Sequence, residues 1–456
     1  MKTFSINTLG CKVNQYESQQ IRELLERFGL AQAETSDQPD LVVVNTCCVT
    51  HTASAKSRHC IRKAQKLAPA AVIVVCGCLP TVQTGELTEP AENVHIVTCR
   101  DELGVILSRI VNTTSTLSQS NSFHDCCKNV IRAENEHKIK DKSKLTCPEL
   151  PELTSFKGHT RAFLKIQDGC DGYCSYCIIP QTRPFIHSKP IETVLREATA
   201  LVEAGHKEIV LTGVFLGAFG QTTVRRQNWP TGQNDCLAEL LDKIAQIPNL
   251  ARIRLSSLEP GDVTAGLLDV FCSHGNIMPH LHLSLQSGSN AVLKKMCRQY
   301  RADEFREKIE LIRSRLDRPA ITTDFIVGFP DETDDDFRRT VDLANEVGFA
   351  KMHVFNFSPR KGTSAAQMHS TVNNQVVKGR LKIMHDLNTE LEYRFRQQFV
   401  GETAVILTEN EDGTISGRSE RYFMVYLPQA AESIKKNELV KVRLTENRKS
   451  GMFGKS

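Results

Sequence analysis

The sequence predicts an α/β protein in three parts: an N-terminal doubly wound parallel sheet, a central series of six β/α units, and a small all-β barrel at the end. Three observations carry this. Apolar strands and amphipathic helices follow one another in β-α-β-α-β order before residue 80, and the alternation resumes near residue 160 and repeats six times. After residue 400 the chain changes to short apolar strands around an Asp-Gly turn at 412–413. Strand-helix alternation requires crossover connections and so parallel pairing, whereas short strands joined by tight turns pair antiparallel.

In the N-terminal part, residues 3–9 read as a strand, 14–28 (NQYESQQIRELLERF) as an amphipathic helix, 41–46 as a strand, 52–67 as a helix and 71–75 (AVIVV) as a third strand. Cys11, Cys47 and Cys78 each fall just past the carboxyl end of one of these strands, the edge at which open α/β sheets gather their ligands. Thiols of equivalent rank can converge on one centre, so a three-cysteine iron–sulfur site is expected here, with buried structural cysteines as the plain alternative. Cys48 and Cys76 adjoin two of these positions, which leaves a shift of one or two residues open. Asn14 and Gln15 either start the helix or approach that centre. The first domain is expected over 1–110. A polar linker over 111–155 follows, in which Cys126, Cys127 and Cys147 are given no role.

The central part spans 156–395, with candidate strands at 162–167, 208–213, 252–257, 280–286, 322–328 and 351–357. Directly after the first of them, KIQDGCDGYCSYCIIP sets Cys170, Cys174 and Cys177 in CxxxCxxC spacing. Three thiolates leave one iron of a [4Fe–4S] cluster without a protein ligand, whereas an electron-transfer cluster or a structural zinc site normally fills four positions. Gly169 and Gly172 suit the sharp turn such a loop needs. A zinc knuckle with a distant fourth ligand is the alternative. The acidic run at 331–336 reads as a helix start, Thr333 with Asp336, rather than a metal site. In VRRQNWP, Arg225, Arg226 and Trp229 either grip phosphate and base or pack a loop.

At 456 residues, 40% hydrophobic and 24% charged, the composition is that of a globular protein. No apolar run of about 18 residues occurs and MKTFSINTLGC lacks a signal-peptide core, so a cytoplasmic protein with no membrane partner is expected. Sixteen cysteines scattered over so long a chain fit metal binding under reducing conditions better than disulfides. A net charge of +4 does not announce a nucleic-acid binder, which leaves RNA affinity to local patches.

CxxxCxxC with Tyr176 just before the last cysteine resembles the radical S-adenosylmethionine (SAM) superfamily. The resemblance implies an open partial (β/α)6 barrel with its active site at the carboxyl ends of the strands. It also implies that the open iron chelates SAM, that reduction then yields a 5′-deoxyadenosyl radical, and that Tyr176 lies near the adenine. Gly213, Glu259, Gln286, Ser287, Gly288, Asp324, Ile326 and Gly328 fall in the regions that embrace SAM in that family. Arg183 either neutralises a SAM carboxylate or substrate phosphate or lies on the surface. Pro184 stands where the family commonly has glycine.

TLGCKVNQYES, NTCCVT and GC add a resemblance to the methylthiotransferases, which carry a second [4Fe–4S] cluster in an N-terminal domain. Cys11, Cys47 and Cys78 are the positions carried over. Residues 396–456 resemble the RNA-binding TRAM module, with Arg418, Arg421, Tyr422, Lys441 and Arg443 as its basic and aromatic face, or as scattered solvent charges. HLHLSLQSGSNAVLKKMCRQY, DFIVGFPDET and FSPRKGTSAAQM are most similar to the branch acting on N6-threonylcarbamoyladenosine beside the anticodon. That branch implies methylthiolation at C2 of the base, with two [4Fe–4S] clusters, SAM, a tRNA substrate, an external electron donor and a sulfur donor. Methylthiolation of isopentenyladenosine or of a ribosomal-protein aspartate, and a non-catalytic iron–sulfur RNA-binding or redox-sensing protein, are the alternatives.

Overall fold

The strand Leu41–Thr46 is buried along its whole length, as a strand covered on both faces must be. In the computed structural model it is the centre of a parallel five-stranded sheet. The order is Ala31–Gln32, Thr3–Thr8, Leu41–Thr46, Val72–Gly77, Val94–Ile96. The structure describes residues 1–34, 38–82, 92–116, 150–229, 235–369, 372–411, 414–428 and 434–456. It forms two compact units, Met1–Leu153 and Thr154–Ser456. Cys126, Cys127, Cys147 and the Asp-Gly turn at 412–413 lie outside the described residues.

In the first unit the three expected strands and two expected helices are present, the helices as Lys12–Arg27 and His51–Leu67. The edge strands Ala31–Gln32 and Val94–Ile96 were not expected, being too short to show a period. The strand order reverses direction between Thr3–Thr8 and Leu41–Thr46, which creates the switch-point crevice of a doubly wound sheet. The core is built from Phe4, Ile21, Leu25, Val43 and Val74. The helix Leu103–Thr116 adds Leu103, Leu107 and Ile110 to it.

In the second unit six parallel strand positions succeed one another, one of them in two pieces. Arg161–Lys165, Glu208–Thr212 and Arg252–Leu255 form one sheet; Ser257–Leu258, His280–Leu283, Ala320–Val327 and Lys351–Asn356 form the next. The expected strand 252–257 is thus split at Ser256, and an isolated parallel bridge links Ile253 to Ile277, ahead of the strand His280–Leu283. Among the described residues nothing pairs the first strand with the last, so the barrel is open. The expected helix start is present: Thr333 and Asp336 form a capping box on Asp334–Val347.

The long helix Asn374–Gln397 leads into a closed five-stranded barrel of Thr403–Glu411, Thr414–Ser419, Met424–Leu427, Gly451–Lys455 and Leu439–Arg448. Its core is Ile406, Val425, Leu427, Val442, Leu444 and Met452. Among the described residues no helix is long and apolar enough to cross a membrane.

Candidate active site

The cysteine loop leaves the first barrel strand and is fixed by its backbone. Gly169 has φ +80, and a Cβ there would lie 1.8 Å from the carbonyl oxygen of Phe185. Only glycine allows that approach. Gln167 reaches under the turn, its Nε2 donating to the carbonyls of Asp168 and Gly169 at 2.9 Å while its Oε1 accepts from the Phe215 amide at 2.8 Å. Gly213 packs on this same glutamine, with 3.0 Å from its Cβ position to Gln167 Oε1. The Gly172 amide donates to the Cys170 sulfur at 3.3 Å. Removal from water pushes the thiols of Cys170 and Cys177 up to about 12. A cationic metal centre is the partner that draws such protons off.

Arg298 organises the site, and sequence reasoning missed it. Its side chain is 6% exposed. It donates to the Cys174 sulfur at 3.1 Å, the Glu259 carboxylate at 2.5 Å, the Tyr300 hydroxyl at 3.0 Å and the Tyr176 hydroxyl at 3.5 Å. Three expected site residues, Cys174, Tyr176 and Glu259, are thereby gathered around one guanidinium. Glu259 Oε2 is buried without a hydrogen bond, though Arg226 approaches it at 3.6 Å. An acceptor held this way beside the cysteine loop fits an ammonium group such as that of SAM.

The remaining expected residues divide. Gln286 sits in the left-handed region, φ +72, and its backbone ties to Asp324 and Ile326. Ile326 packs with Tyr176 against Phe329, Met296, Val292 and Ala365. Asp324 pairs with His282 at 3.2 Å. Ser287 is fully buried against Thr340 at 3.3 Å, and Gly328, φ +73, donates its amide to Glu332 at 2.8 Å. These last two serve the backbone of the strand ends. Arg183 is neither free for a phosphate nor on the surface: it is 5% exposed and bonds both oxygens of Asp168, at 2.6 and 2.7 Å. In the insertion, Arg226 is engaged with Asp262 and lies 4.7 Å from the Trp229 ring. Trp229 donates to Thr223 O at 2.8 Å, as a packed loop does. Arg225 covers the exposed ring of Tyr173 at 4.1 Å.

Cys11 and Cys47 follow strand ends whose loops pack closely, and Cys78 opens the short helix Cys78–Val82. Gly10, φ +97, leaves only 2.9 Å between its Cβ position and the Cys47 sulfur, and Gly77, φ +93, leaves 2.4 Å to Thr46 O. Asn14 is fully buried and donates to the carbonyls of Leu9 at 2.8 Å and Thr46 at 2.9 Å. It therefore clamps the Cys11 loop to the Cys47 loop. Arg100, also missed from sequence, donates to the Cys78 sulfur at 3.3 Å. Cys76 belongs to the hydrophobic core, where burial pushes its thiol up to about 12. Cys48 is buried with its sulfur on Cys78 O at 3.4 Å. Two sets of three cysteines, with an arginine donating to a sulfur in each, Arg298 buried and Arg100 half-buried, fit iron–sulfur clusters.

The proposed RNA face of the last barrel is corrected in part. Tyr422 stacks on His280 of the central barrel at 4.2 Å between centroids. Arg418, Arg254 and Arg161 approach its ring at 4.7, 5.2 and 5.7 Å. Arg421 pairs with Asp317 at 2.9 Å. These residues join two barrels rather than face solvent, while Lys441 and Arg443 are exposed.

Comparison with known proteins agrees with this architecture. Residues 164–344 match the Radical SAM superfamily and residues 3–99 the Uncharacterized protein family UPF0004. The structure of the radical SAM methyltransferase TsrM from Kitasatospora setae shares the fold at TM-score 0.52 and 14% identity, over 79% of this chain and 77% of that one. Open barrel and three-cysteine loop define a radical SAM enzyme. A protein of Chlamydia pneumoniae named threonylcarbamoyladenosine tRNA methylthiotransferase MtaB is 34% identical over 99% of this chain and 97% of its own length. A tRNA-2-methylthio-N(6)-dimethylallyladenosine synthase of Thermodesulfovibrio yellowstonii is 29% identical over 98% and 97%. The chain belongs to the radical SAM methylthiotransferases, in the MtaB family. The cofactors of that family are SAM and [4Fe–4S] clusters, and the matched N-terminal segment is the domain of the second cluster.

Proposed function

We propose that this protein adds a methylthio group to C2 of N6-threonylcarbamoyladenosine in tRNA. In this reading Cys170, Cys174 and Cys177 hold the SAM-binding cluster, and Cys11, Cys47 and Cys78 hold the other. The observation that supports it most is the occurrence of two separate sets of three free cysteines in one chain with full-length similarity to an MtaB protein. When bound, SAM and the clusters supply hydrogen abstraction, sulfur and a methyl group. Arg298 holds Cys174 and Glu259 in register, and Glu259 Oε2 would accept from the ammonium of SAM when it is bound. Tyr176, Gly213, Gln286 and Ile326 shape the walls around it, with Ser287 and Gly328 fixing the strand ends behind them. Lys441 and Arg443 offer charge to the tRNA backbone. An external reductant, a sulfur donor and a cytoplasmic setting complete the reading.

The test is mass spectrometry of tRNA nucleosides from cells with and without the gene. Loss of methylthio-threonylcarbamoyladenosine on deletion, restored by wild type and not by Cys174→Ala, is expected. An unchanged level in cells with no redundant enzyme would overturn the substrate, and absence of reductive SAM cleavage by the reconstituted protein would overturn the reaction class.

A further inference from the structure

The wall of the central barrel carries a polar layer below its carboxyl rim. His282, Asp324 and His353 lie on three consecutive parallel strands, and the register sets His282 beside Thr322 and Asp324 beside His353. Residues two apart on a strand share a face, so His282, Thr322, Asp324 and His353 look the same way. The ligand atoms of the two histidines and the aspartate lie within 4.8 Å of one another. His282 is held at both ring nitrogens, Nδ1 2.9 Å from Thr322 Oγ1 and Nε2 3.2 Å from Asp324 Oδ2. His353 tilts against it with centroids 5.8 Å apart.

One step nearer the rim, on the same face, Ile326 pairs with Phe355, which is 46% exposed. One step further in, His280 is buried and stacked on Tyr422. From the rim inward the wall is apolar, then polar, then a buried ring stack.

We infer that this layer, His282 with Asp324 and His353, receives the N6 arm of the target adenosine and selects a polar arm over a hydrocarbon one. The inference rests on the methylthiotransferase reading above and names the side chains that set its substrate. In adenine, C2 and C6 flank N1, so a ring that presents C2 to the rim directs its N6 substituent away from it. A ring lying on Ile326 and Phe355 then sends its arm into the His-Asp layer. A threonylcarbamoyl arm carries a carboxylate and a carbonyl that accept, with N–H and hydroxyl groups that donate. His353 can donate to the carboxylate, while Asp324 accepts from the hydroxyl or a urea N–H. A dimethylallyl arm offers no donor or acceptor and would strip water from this layer without replacing its hydrogen bonds, the situation in which a polar site rejects an isostere most strongly.

The test uses the full-length protein and anticodon stem–loops bearing threonylcarbamoyladenosine, dimethylallyladenosine or plain adenosine. Equilibrium binding gives the preference, and the reconstituted enzyme gives kcat and KM. Wild type is expected to prefer the threonylcarbamoyl loop over the plain one by about tenfold or more, as one charge-assisted hydrogen bond provides. His353→Phe is expected to lose that preference and to raise KM by about tenfold with a smaller change in kcat. His353→Gln, which keeps a donor, is expected to recover part of it, and Asp324→Asn to weaken it. Wild-type preference in both His353→Phe and Asp324→Asn would overturn the inference while leaving the reaction standing. So would one equivalent of zinc bound by a protein lacking all six cluster cysteines and lost on His353→Ala, because the layer would then be a metal site. Wild type that forms no methylthio product on the threonylcarbamoyl loop would instead take down the reading and the inference together.

Discussion

Arg298 carries one charge and touches four groups, so its replacement separates what each contact does. Arg298→Met leaves Glu259 buried with Arg226 as its remaining cation, 3.6 Å away. Removing one partner of a buried pair costs about 3–5 kcal/mol, and the Arg226 contact puts the expectation at the lower end. A drop of several degrees in the melting temperature of the cluster-free protein, by calorimetry, is the expected result. In the loaded protein, loss of the donor to the Cys174 sulfur should shift the reduction potential downward, measured by potentiometric titration.

Gly169→Ala is a sharper case, because both φ +80 and the Phe185 carbonyl forbid the added carbon. A cost of about 2 kcal/mol or more and a purified protein poor in iron are expected. At this scale the cysteine loop was legible because its pattern is local. Arg298 was not, because it meets Cys174 across 124 residues of sequence. Nothing in KKMCRQY distinguishes a buried guanidinium from a surface one.

Elements were legible in proportion to their length. All six barrel strands stand out as apolar runs bounded by polar or glycine positions, and the alternation with helices gave their parallel pairing. The two-residue and three-residue edge strands of the first sheet carry no period and were invisible. The split at Ser256 was equally hidden. Its amide stays with Leu211 of one sheet while Ser257–Leu258 turns to the next, a choice made by neighbours rather than by sequence.

The acidic run ahead of Asp334–Val347 tests the reading of a local signal. Thr333 accepts from the Asp336 amide at 3.1 Å and Asp336 accepts from the Thr333 amide at 3.0 Å. Thr333→Ala should therefore destabilise by about 1 kcal/mol in chemical denaturation with no change in bound metal. A change in metal content would assign the run to ion binding instead.

Across the second unit as a whole, the seam between the two barrels is made of buried charge. Arg254 is 1% exposed, bonds Glu208 at 2.9 Å and donates to the carbonyls of Ser419 and Glu420 at 2.7 and 2.9 Å. Arg252 donates to Arg418 O at 2.9 Å and also to Val405 O at 2.6 Å. The resemblance of the tail to an RNA-binding barrel suggested a basic and aromatic face, and sequence cannot say which side of a barrel those residues occupy. Tyr422→Ala removes the ring that His280 and three arginines share, interactions worth about 0.5–2 kcal/mol each. Faster amide exchange in Thr403–Lys455, with exchange in Thr3–Gly77 unchanged, is the expected outcome by mass spectrometry. Uniform acceleration in both would show that the seam is not a local one.

The first unit closes its own hydrophobic core within Met1–Leu153, and the thiols at 11, 47 and 78 all belong to it. Domains fold as units during synthesis, at about 5–20 residues per second. The roughly three hundred residues from Thr154 onward then need on the order of 15–60 s to be translated. During that interval the unit that carries Cys11, Cys47 and Cys78 can fold on a nascent chain whose radical-generating half does not yet exist. A ribosome stalled near residue 200 would therefore carry Cys11, Cys47 and Cys78 on a finished unit and Cys170, Cys174 and Cys177 on an unfinished one.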